Sequence, residues 1–119
     1  AHQNDPADDY PDFIQLAAQE VSHDPSSARG VILGGSGQGE AIVANRFPNV
    51  RAVVYYGGNM DIIKLSREHN NANVLSLGAR FVSLEEAKEA VKLWLETSFS
   101  EEERHMRRIK KVEQIWPYR

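Results

Sequence analysis

The sequence contains no cysteine. This absence excludes disulfide bonds, thiolate nucleophiles and cysteine-ligated zinc. No apolar stretch approaches the roughly 20 residues of a membrane-spanning helix, and residues 1–5 do not form a signal-peptide pattern. Neither sign of charge dominates, because 14 basic residues face 17 acidic residues and leave a formal net charge of -3. We therefore expect a cytoplasmic enzyme or binding domain with neither nucleic acid nor a membrane as its partner.

The length and composition are those of one globular domain. The 119 residues are 41% apolar and 26% charged, which is ordinary for a globular protein. No internal repeat or low-complexity linker divides the chain, so we expect residues 1–119 to form a single domain. The four histidines show no metal-ligand spacing. The sequence therefore predicts no metal site.

Short apolar runs alternate with segments of helical periodicity. Strands are predicted over residues 31–33, 52–56 and 74–77, and helices over 11–21, 40–47 and 60–68. Two capping-box patterns, Ser83 with Glu86 and Ser100 with Glu103, predict two more helices. The last of these carries its apolar side at Met106, Ile109, Val112 and Trp116. Apolar strands that are separated by helices predict an α/β fold, a Rossmann-like three-layer sandwich whose parallel sheet is covered on both faces.

A glycine-rich segment, GGSGQGE from Gly34 to Glu40, follows the first predicted strand. Such a loop presents bare backbone N–H groups to an anion, and ligands collect at the carboxyl ends of parallel strands. The spacing differs from the dinucleotide fingerprint G-x-G-x-x-G, and no Gly-Lys-Ser/Thr phosphate loop follows. From these residues alone, an anion site and a plain tight turn both stay open. Glu40 could equally be an ordinary first-turn glutamate.

Two further segments combine residues that can carry chemistry. His69 and Asn70 follow a predicted helix, where histidine can exchange protons and asparagine can bind a charged intermediate. The alternative is a helix C-cap with Asn70 or Asn71 in the left-handed conformation. Arg104 and Arg108 have i, i+4 spacing and can converge on one phosphate. A solvated basic face that balances nearby glutamates is equally open.

Taken together, these segments resemble the ribose 5-phosphate isomerase B family, which includes galactose 6-phosphate isomerases. The resemblance covers nearly the whole chain. Its motifs are DDYPDF at 8–13, RGVIL at 29–33, AN at 44–45, RA at 51–52, REHN at 67–70, NVL at 73–75, GAR at 78–80 and RH at 104–105. Many family members carry a catalytic cysteine at the position of Gly34. A subgroup instead has a Gly-Gly-Ser-Gly-x-Gly-Glu loop and uses the glutamate as base, which this sequence matches at Glu40.

The resemblance implies an aldose–ketose isomerase that interconverts ribose 5-phosphate and ribulose 5-phosphate through an enediolate, as in the pentose phosphate pathway. Glu40 would transfer the proton and His69 would assist opening of the sugar ring. The other substrate-binding residues that it implies are Gly35, Ser36, Gly37, Gln38 and Gly39 at the oxyanion, Asn70 at the intermediate, Arg80 at the sugar, and Arg104 and Arg108 at the phosphate. His105 would also touch the sugar. No cofactor is implied.

The resemblance also bears on assembly and completeness. The family builds its site between two subunits, so we expect a homodimer or a larger homo-oligomer. Family members usually begin with a βαβ unit that supplies an Asp-His pair, and no such pair follows a predicted strand here. We therefore expect a chain that is truncated at its amino terminus relative to the family. Its three strands should lie in chain order, with one sheet edge exposed.

Three alternatives stay open, and the first is motivated by that departure. One is a non-catalytic subunit that binds a sugar phosphate or serves in assembly. Another is an isomerase of a six-carbon sugar, allose or galactose 6-phosphate. A flavodoxin-like nucleotide-binding module is the most distant alternative.

Overall fold

The computed structural model describes residues 8–115 of the chain, and in that range helices and strands alternate as predicted. The elements are α1 Tyr10–His23, β1 Gly30–Gly34, α2 Gln38–Ala44, β2 Ala52–Tyr55, α3 Asp61–Glu68, β3 Val74–Gly78, α4 Leu84–Glu96 and α5 Glu103–Ile115. The predicted helix position Trp116 lies outside the described residues. None of the helices within residues 8–115 combines the length and the apolar character of a membrane span.

The three strands form one parallel sheet in which β3 lies between β1 and β2. The predicted order along the chain is therefore wrong. The connection from β1 to β2 passes over one strand position in the sheet. β3 occupies this position and pairs with β1 along one edge and with β2 along the other. All five residues of β3 are buried, which fits this central position.

Helices cover the two faces of β3 and form two apolar cores. One core lies between the sheet and the first two helices and contains Ala18, Val21, Ile32, Ala44, Val50 and Val74. The other lies beneath the third and fourth helices and contains Tyr55, Ile63, Leu75, Leu77, Ala90 and Trp94. This confirms the three-layer α/β fold. The prediction that both faces are covered fails at β1, where Val31 is 42% and Leu33 is 63% exposed.

The ends of three helices show which local patterns decide structure. The capping box of α4 is confirmed, since Glu86 N–H donates to Ser83 Oγ at 3.1 Å and Ser83 N–H donates to Glu86 Oε1 at 3.2 Å. Helix α2 ends three residues before the predicted position 47. There the side-chain amide of Asn45 exchanges two hydrogen bonds with the backbone of Ala52, at 3.0 and 2.8 Å.

The capping box predicted for α5 does not form. Glu101 has a φ of 60°, and Ser100 Oγ accepts from Glu102 N–H at 3.3 Å instead of from Glu103. The hydroxyl of Ser100 also contacts Nδ1 of His105 at 3.1 Å. Because the serine is engaged in these two contacts, α5 begins at Glu103 without this cap.

A buried arginine fixes the turn between α3 and β3. Arg67 is only 3% exposed. Its Nε donates to Thr97 O at 3.0 Å, and its Nη1 donates to Asn71 Oδ1 at 2.9 Å and to Ala72 O at 2.7 Å. Burial, followed by the charges of neighbouring arginines, lowers its pKa to about 10, so the side chain stays charged at neutral pH. Arg67 therefore ties the end of α4 to the segment that carries His69 and Asn70.

Replacing this arginine tests how far the turn depends on it. Arg67→Met keeps an apolar stem but removes the donor from one buried and two partly buried acceptors, which we expect to lower the free energy of unfolding by about 2–4 kcal/mol. Arg107→Met is the matched control, because Arg107 is half exposed and, among residues 8–115, pairs only with Glu103, at 2.9 Å. It should cost less than about 1 kcal/mol. Urea unfolding measures both, and equal losses would contradict the role of Arg67.

Candidate active site

The glycine loop lies at the carboxyl ends of the strands and is hydrogen-bonded to β3 and to the residues that follow it. Gly37 is the N-cap residue of α2 and has a φ of 78°, a conformation that favours glycine. Its carbonyl oxygen accepts a 2.7 Å hydrogen bond from the buried hydroxyl of Ser76, in the middle of β3. The carbonyl oxygens of Gly34 and Gly35 accept from the N–H groups of Ala79 and Arg80 at 2.7 and 3.0 Å. The loop is thus held at three points.

The backbone of the loop lies so close to the end of β3 that Gly37 and Gly78 leave no room for a side chain. A Cβ on Gly78 would lie 2.6 Å from the carbonyl oxygen of Ser36. A Cβ on Gly37 would lie 3.1 Å from Ser76 Oγ. These contacts explain why glycine occupies both sides of this junction.

Several N–H groups of the loop remain available to a ligand. The N–H of Gln38 donates to Ser36 Oγ at 3.3 Å. Within residues 8–115 the N–H groups of Gly35, Ser36, Gly37 and Gly39 make no hydrogen bond. The last of these lies in the first turn of α2, where the helix dipole is positive. The loop therefore offers a group of unpaired donors that suits an anion or a developing oxyanion.

Glu40 lies against this loop and is 9% exposed. Its carboxyl group occupies the space above the Cα of Gly34, so that a Cβ there would overlap the carboxyl carbon and both oxygens. In the part of the chain that the structure describes, no hydrogen bond or ion pair engages this carboxylate. An unpaired carboxylate beside unpaired N–H groups gains no stabilising hydrogen bond or ion pair, and a carboxylate has the chemistry to accept and return a proton.

Arg80 lies on the other side of the loop. A Cβ on Gly35 would be 3.1 Å from Arg80 Nε and 3.2 Å from Arg80 Cζ, so the guanidinium packs directly against the Gly35 backbone. The backbone bond between Arg80 N–H and Gly35 O fixes the start of this side chain. The structure thus brings a carboxylate, a set of amides and a guanidinium to one end of the sheet. We call Gly34 to Glu40 together with Arg80 the glycine-loop cluster.

A second group of candidate residues surrounds the start of α5. The rings of His69 and His105 are 4.2 Å apart between centroids and are tilted by 31°. His105 is 4% exposed, its Nδ1 lies 3.1 Å from Ser100 Oγ, and its Nε2 lies 3.3 Å from Arg104 Nε. Burial, followed by the charges of His69 and Arg104, lowers the pKa of His105.

Asn70 and Arg108 line one cleft of about 390 Å³ beside the second strand. Its other lining residues include Asn45, Arg51 and Ile109. Asn71, not Asn70, adopts the left-handed conformation, with a φ of 47°, so the C-cap alternative is correct for one of the two asparagines. His69, Asn70, Arg104, His105 and Arg108 are called the histidine–arginine cluster below.

Within one chain the two clusters lie at opposite ends of the sheet. The glycine loop follows the carboxyl end of β1, which pairs with Gly78, whereas His69 and Asn70 precede Val74 at the amino end of β3. A strand of five residues rises about 13 Å from its first residue to its last. Glu40 and His69 of the same chain therefore do not meet on one small substrate.

Three residues hold these clusters in a way that the sequence did not predict. Ser76 and Gly78 contact the glycine loop. Ser100 contacts His105. Ser76 was detectable, because it is the one polar residue in the run VLSL. The other two act through tertiary contacts that no local pattern reveals.

The fold and the glycine-loop cluster define an α/β domain whose glycine-rich loop presents unpaired N–H groups at the carboxyl ends of the strands. Comparison with known proteins identifies the family. The profile of the ribose/galactose isomerase family matches residues 1–112, and the chain belongs to this family.

Individual relatives agree with this assignment. The chain is 41% identical over 105 residues to a ribose-5-phosphate isomerase B of Mycolicibacterium paratuberculosis. The aligned region covers 88% of this chain and 64% of that protein. It is 37% identical over 107 residues to the ribose-5-phosphate isomerase B of Escherichia coli. The aligned region covers 90% of this chain and 69% of that protein. The chain thus spans about two-thirds of the length of these relatives.

Solved structures share the fold. A ribose-5-phosphate isomerase B of Mycoplasma genitalium, solved with bound ribulose-5-phosphate, superimposes with a TM-score of 0.91 at 34% identity over 100% of this chain and 76% of that one. The ribose-5-phosphate isomerase B of Clostridium thermocellum gives a TM-score of 0.86 at 39% identity, over 97% and 74% of the two chains. The assignment of Glu40 to the glutamate-containing subgroup stays a prediction.

A double-mutant cycle tests whether Gly34 and Glu40 compete for one space. Gly34→Ala should lower the free energy of unfolding by about 1–3 kcal/mol, because its Cβ overlaps the carboxylate. In a Glu40→Ala background the same change should cost about 1 kcal/mol less. Urea unfolding of both single variants and the double variant measures the difference.

Gly30→Ala is the control for this cycle. Its Cβ would meet Val21 Cγ2 at 3.5 Å and Val74 Cγ2 at 3.6 Å, which are ordinary contacts. Its effect should therefore add to that of Glu40→Ala. An equal cost of Gly34→Ala in both backgrounds would show that the carboxylate does not occupy this space.

Proposed function

We propose that the chain is an aldose–ketose isomerase that interconverts ribose 5-phosphate and ribulose 5-phosphate. The observation that carries this proposal is the buried carboxylate of Glu40, packed over Gly34 beside a loop with unpaired N–H groups. Such an isomerase needs a base at the carbon next to the carbonyl and donors at the carbonyl oxygen. The names of the relatives and the ribulose-5-phosphate in the Mycoplasma genitalium structure support a five-carbon substrate.

In the proposed reaction, Glu40 removes the proton from C2 of the open-chain aldose. The electron pair of the C–H bond forms a C1–C2 double bond, and the carbonyl oxygen on C1 becomes an oxyanion. Glu40 then returns the proton to C1, O1 gains a proton, and the hydroxyl on C2 loses one as the ketone forms. Protons and electrons balance within the sugar, the base and the solvent.

The glycine loop acts on the oxyanion of this enediolate. Donors that are fixed before the reaction stabilise charge that develops during it, and the loss of one such donor costs roughly 3 kcal/mol in other enzymes. Ser76 holds the loop in place from β3, and Arg80, packed on Gly35, adds a positive charge at the sugar. Binding by Gln38 involves its side chain, since its N–H is already bonded to Ser36.

The histidine–arginine cluster supplies the remaining roles from a second copy of the chain. His69 assists opening of the sugar ring, Asn70 holds the intermediate, and Arg104 and Arg108 bind the phosphate. Because these residues lie at the end of the sheet opposite Glu40, one complete site requires the loop of one copy and the histidine–arginine cluster of another. The proposed state is therefore a homodimer or a larger homo-oligomer, and the proposed location is the cytoplasm.

Removal of the base tests the proposal. Glu40→Gln keeps the shape of the side chain but cannot accept a proton, so kcat for ribose 5-phosphate should fall by about 10²–10⁴-fold. Binding of ribulose 5-phosphate, measured by calorimetry, should change little. Glu85→Gln, an exposed glutamate in the first turn of α4, is the control. Unchanged turnover in Glu40→Gln would remove the proposal.

Mixing two inactive variants tests the shared site. Co-expression of Glu40→Gln with His69→Asn should restore about a quarter of wild-type activity, because half of the dimers are mixed and each of these has one intact site. Glu40→Gln with Arg80→Gln is the matched control, since both changes fall in the glycine-loop cluster. No gain over the separate variants in the first mixture would place Glu40 and His69 in the same copy.

A second candidate function is a non-catalytic sugar-phosphate-binding subunit. It is favoured by the open face of β1, where Val31 and Leu33 are exposed. Turnover of ribose 5-phosphate by the purified chain alone, in a coupled assay, distinguishes the two candidates.

A further inference from the structure

His105 is buried at the start of α5, and both of its ring nitrogens have partners. Nδ1 lies 3.1 Å from Ser100 Oγ, and Nε2 lies 3.3 Å from Nε of Arg104. One face of the ring lies against His69, with 4.2 Å between the ring centroids. A buried imidazole that is held at both nitrogens and on one face has a single orientation.

These partners determine the protonation of the ring. The Nε–H of Arg104 can only donate, so Nε2 of His105 must accept and carry no hydrogen. The ring hydrogen is then on Nδ1 and is donated to Ser100 Oγ. By accepting this hydrogen, the hydroxyl of Ser100 stabilises the tautomer in which Nε2 of His105 can receive Arg104.

The same contact restricts Arg104. Its Nε is engaged by His105, and its Nη2 lies 3.6 Å from Glu102 Oε1, with more than half of the side chain exposed. The guanidinium is thus anchored at its base while much of it faces outward. An arginine held in this way loses less conformational entropy when it binds a phosphate.

We propose that Ser100 is a positioning residue, which acts through the tautomer of His105 to orient Arg104 for an anionic phosphate group. This inference rests on the proposed function only in taking Arg104 as a phosphate ligand. It assigns to Ser100 no contact with the substrate. The hydroxyl of Ser100 holds Nδ1 of His105, and Nε2 of His105 in turn holds the guanidinium of Arg104.

The charges around His105 give this arrangement a pH dependence. His69 at the end of α3 and Arg104 and Arg108 on α5 oppose protonation of His105, whereas Glu102 favours it. Protonation would place a hydrogen on Nε2, facing the Nε–H of Arg104, and break their contact. Since the pKa of His105 lies below its usual value, the contact persists at neutral pH and is lost only under acid conditions.

The tautomer is measured directly by nitrogen-15 NMR of the histidine side chains in the full chain. In the wild type, we expect the Nδ1–H form of His105. Ser100→Ala should shift the ring toward the Nε2–H form, and Ser100→Thr, which keeps the hydroxyl, should restore the wild-type spectrum. Ser98→Ala, an exposed serine two residues away, is the control. A wild-type Nε2–H form, or a spectrum that Ser100→Ala leaves unchanged, overturns the inference.

The consequence for Arg104 is measured by titration with inorganic phosphate. Ser100→Ala should weaken binding about five-fold, the equivalent of one hydrogen bond. In an Arg104→Gln background, Ser100→Ala should have no further effect, because its action passes through Arg104. An equal loss in both backgrounds shows a merely structural role for Ser100 and overturns the inference.

The titration also separates this inference from the proposed function. Phosphate binding that depends on Ser100 through Arg104, without conversion of ribose 5-phosphate by the wild type, would refute the isomerase and leave the inference standing. Conversion of ribose 5-phosphate with phosphate binding that is insensitive to Ser100→Ala would do the reverse.

Discussion

The site depends on one steric constraint, which is that the carboxyl group of Glu40 occupies the space above the Cα of Gly34. Any side chain at position 34 would displace it. Because Glu40 is in the first turn of α2 and Gly34 ends β1, this contact aims the carboxylate at the loop between them. A glutamate here and a larger residue at position 34 therefore exclude each other.

The rest of the fold serves to keep that contact in place. The hydroxyl of Ser76 and the backbone of residues 79 and 80 hold the loop on β3, which is itself buried between the other two strands. At the other end of the same strand, Arg67 holds the turn that carries His69. The central strand thus supports both clusters and also separates them by its own length. That separation is the physical reason for proposing a site that two copies share.

Local patterns in the sequence were sufficient for most elements, and tertiary contacts account for the failures. The Ser83–Glu86 box and the strand–helix alternation depend on neighbours in the chain, so they could be predicted. The order of the strands could not be predicted from local patterns, because it depends on where the connection from β1 places β2 and so on whether β3 fits between them. Ser100 failed as a cap because its hydroxyl contacts a buried histidine five residues later. The resemblance to the family supplied the candidate residues, and the structure divided them into two clusters that the sequence order does not suggest.

The most direct test of the central claim is a crystal structure of the chain with ribulose 5-phosphate bound. We expect C1 and C2 of the sugar to lie within about 3.5 Å of the Glu40 carboxylate. Their oxygens should face the N–H groups of the glycine loop, and the phosphate should lie at Arg104 and Arg108 of a second copy. A sugar phosphate bound away from the loop, with Glu40 turned toward solvent, would contradict the role assigned to this carboxylate.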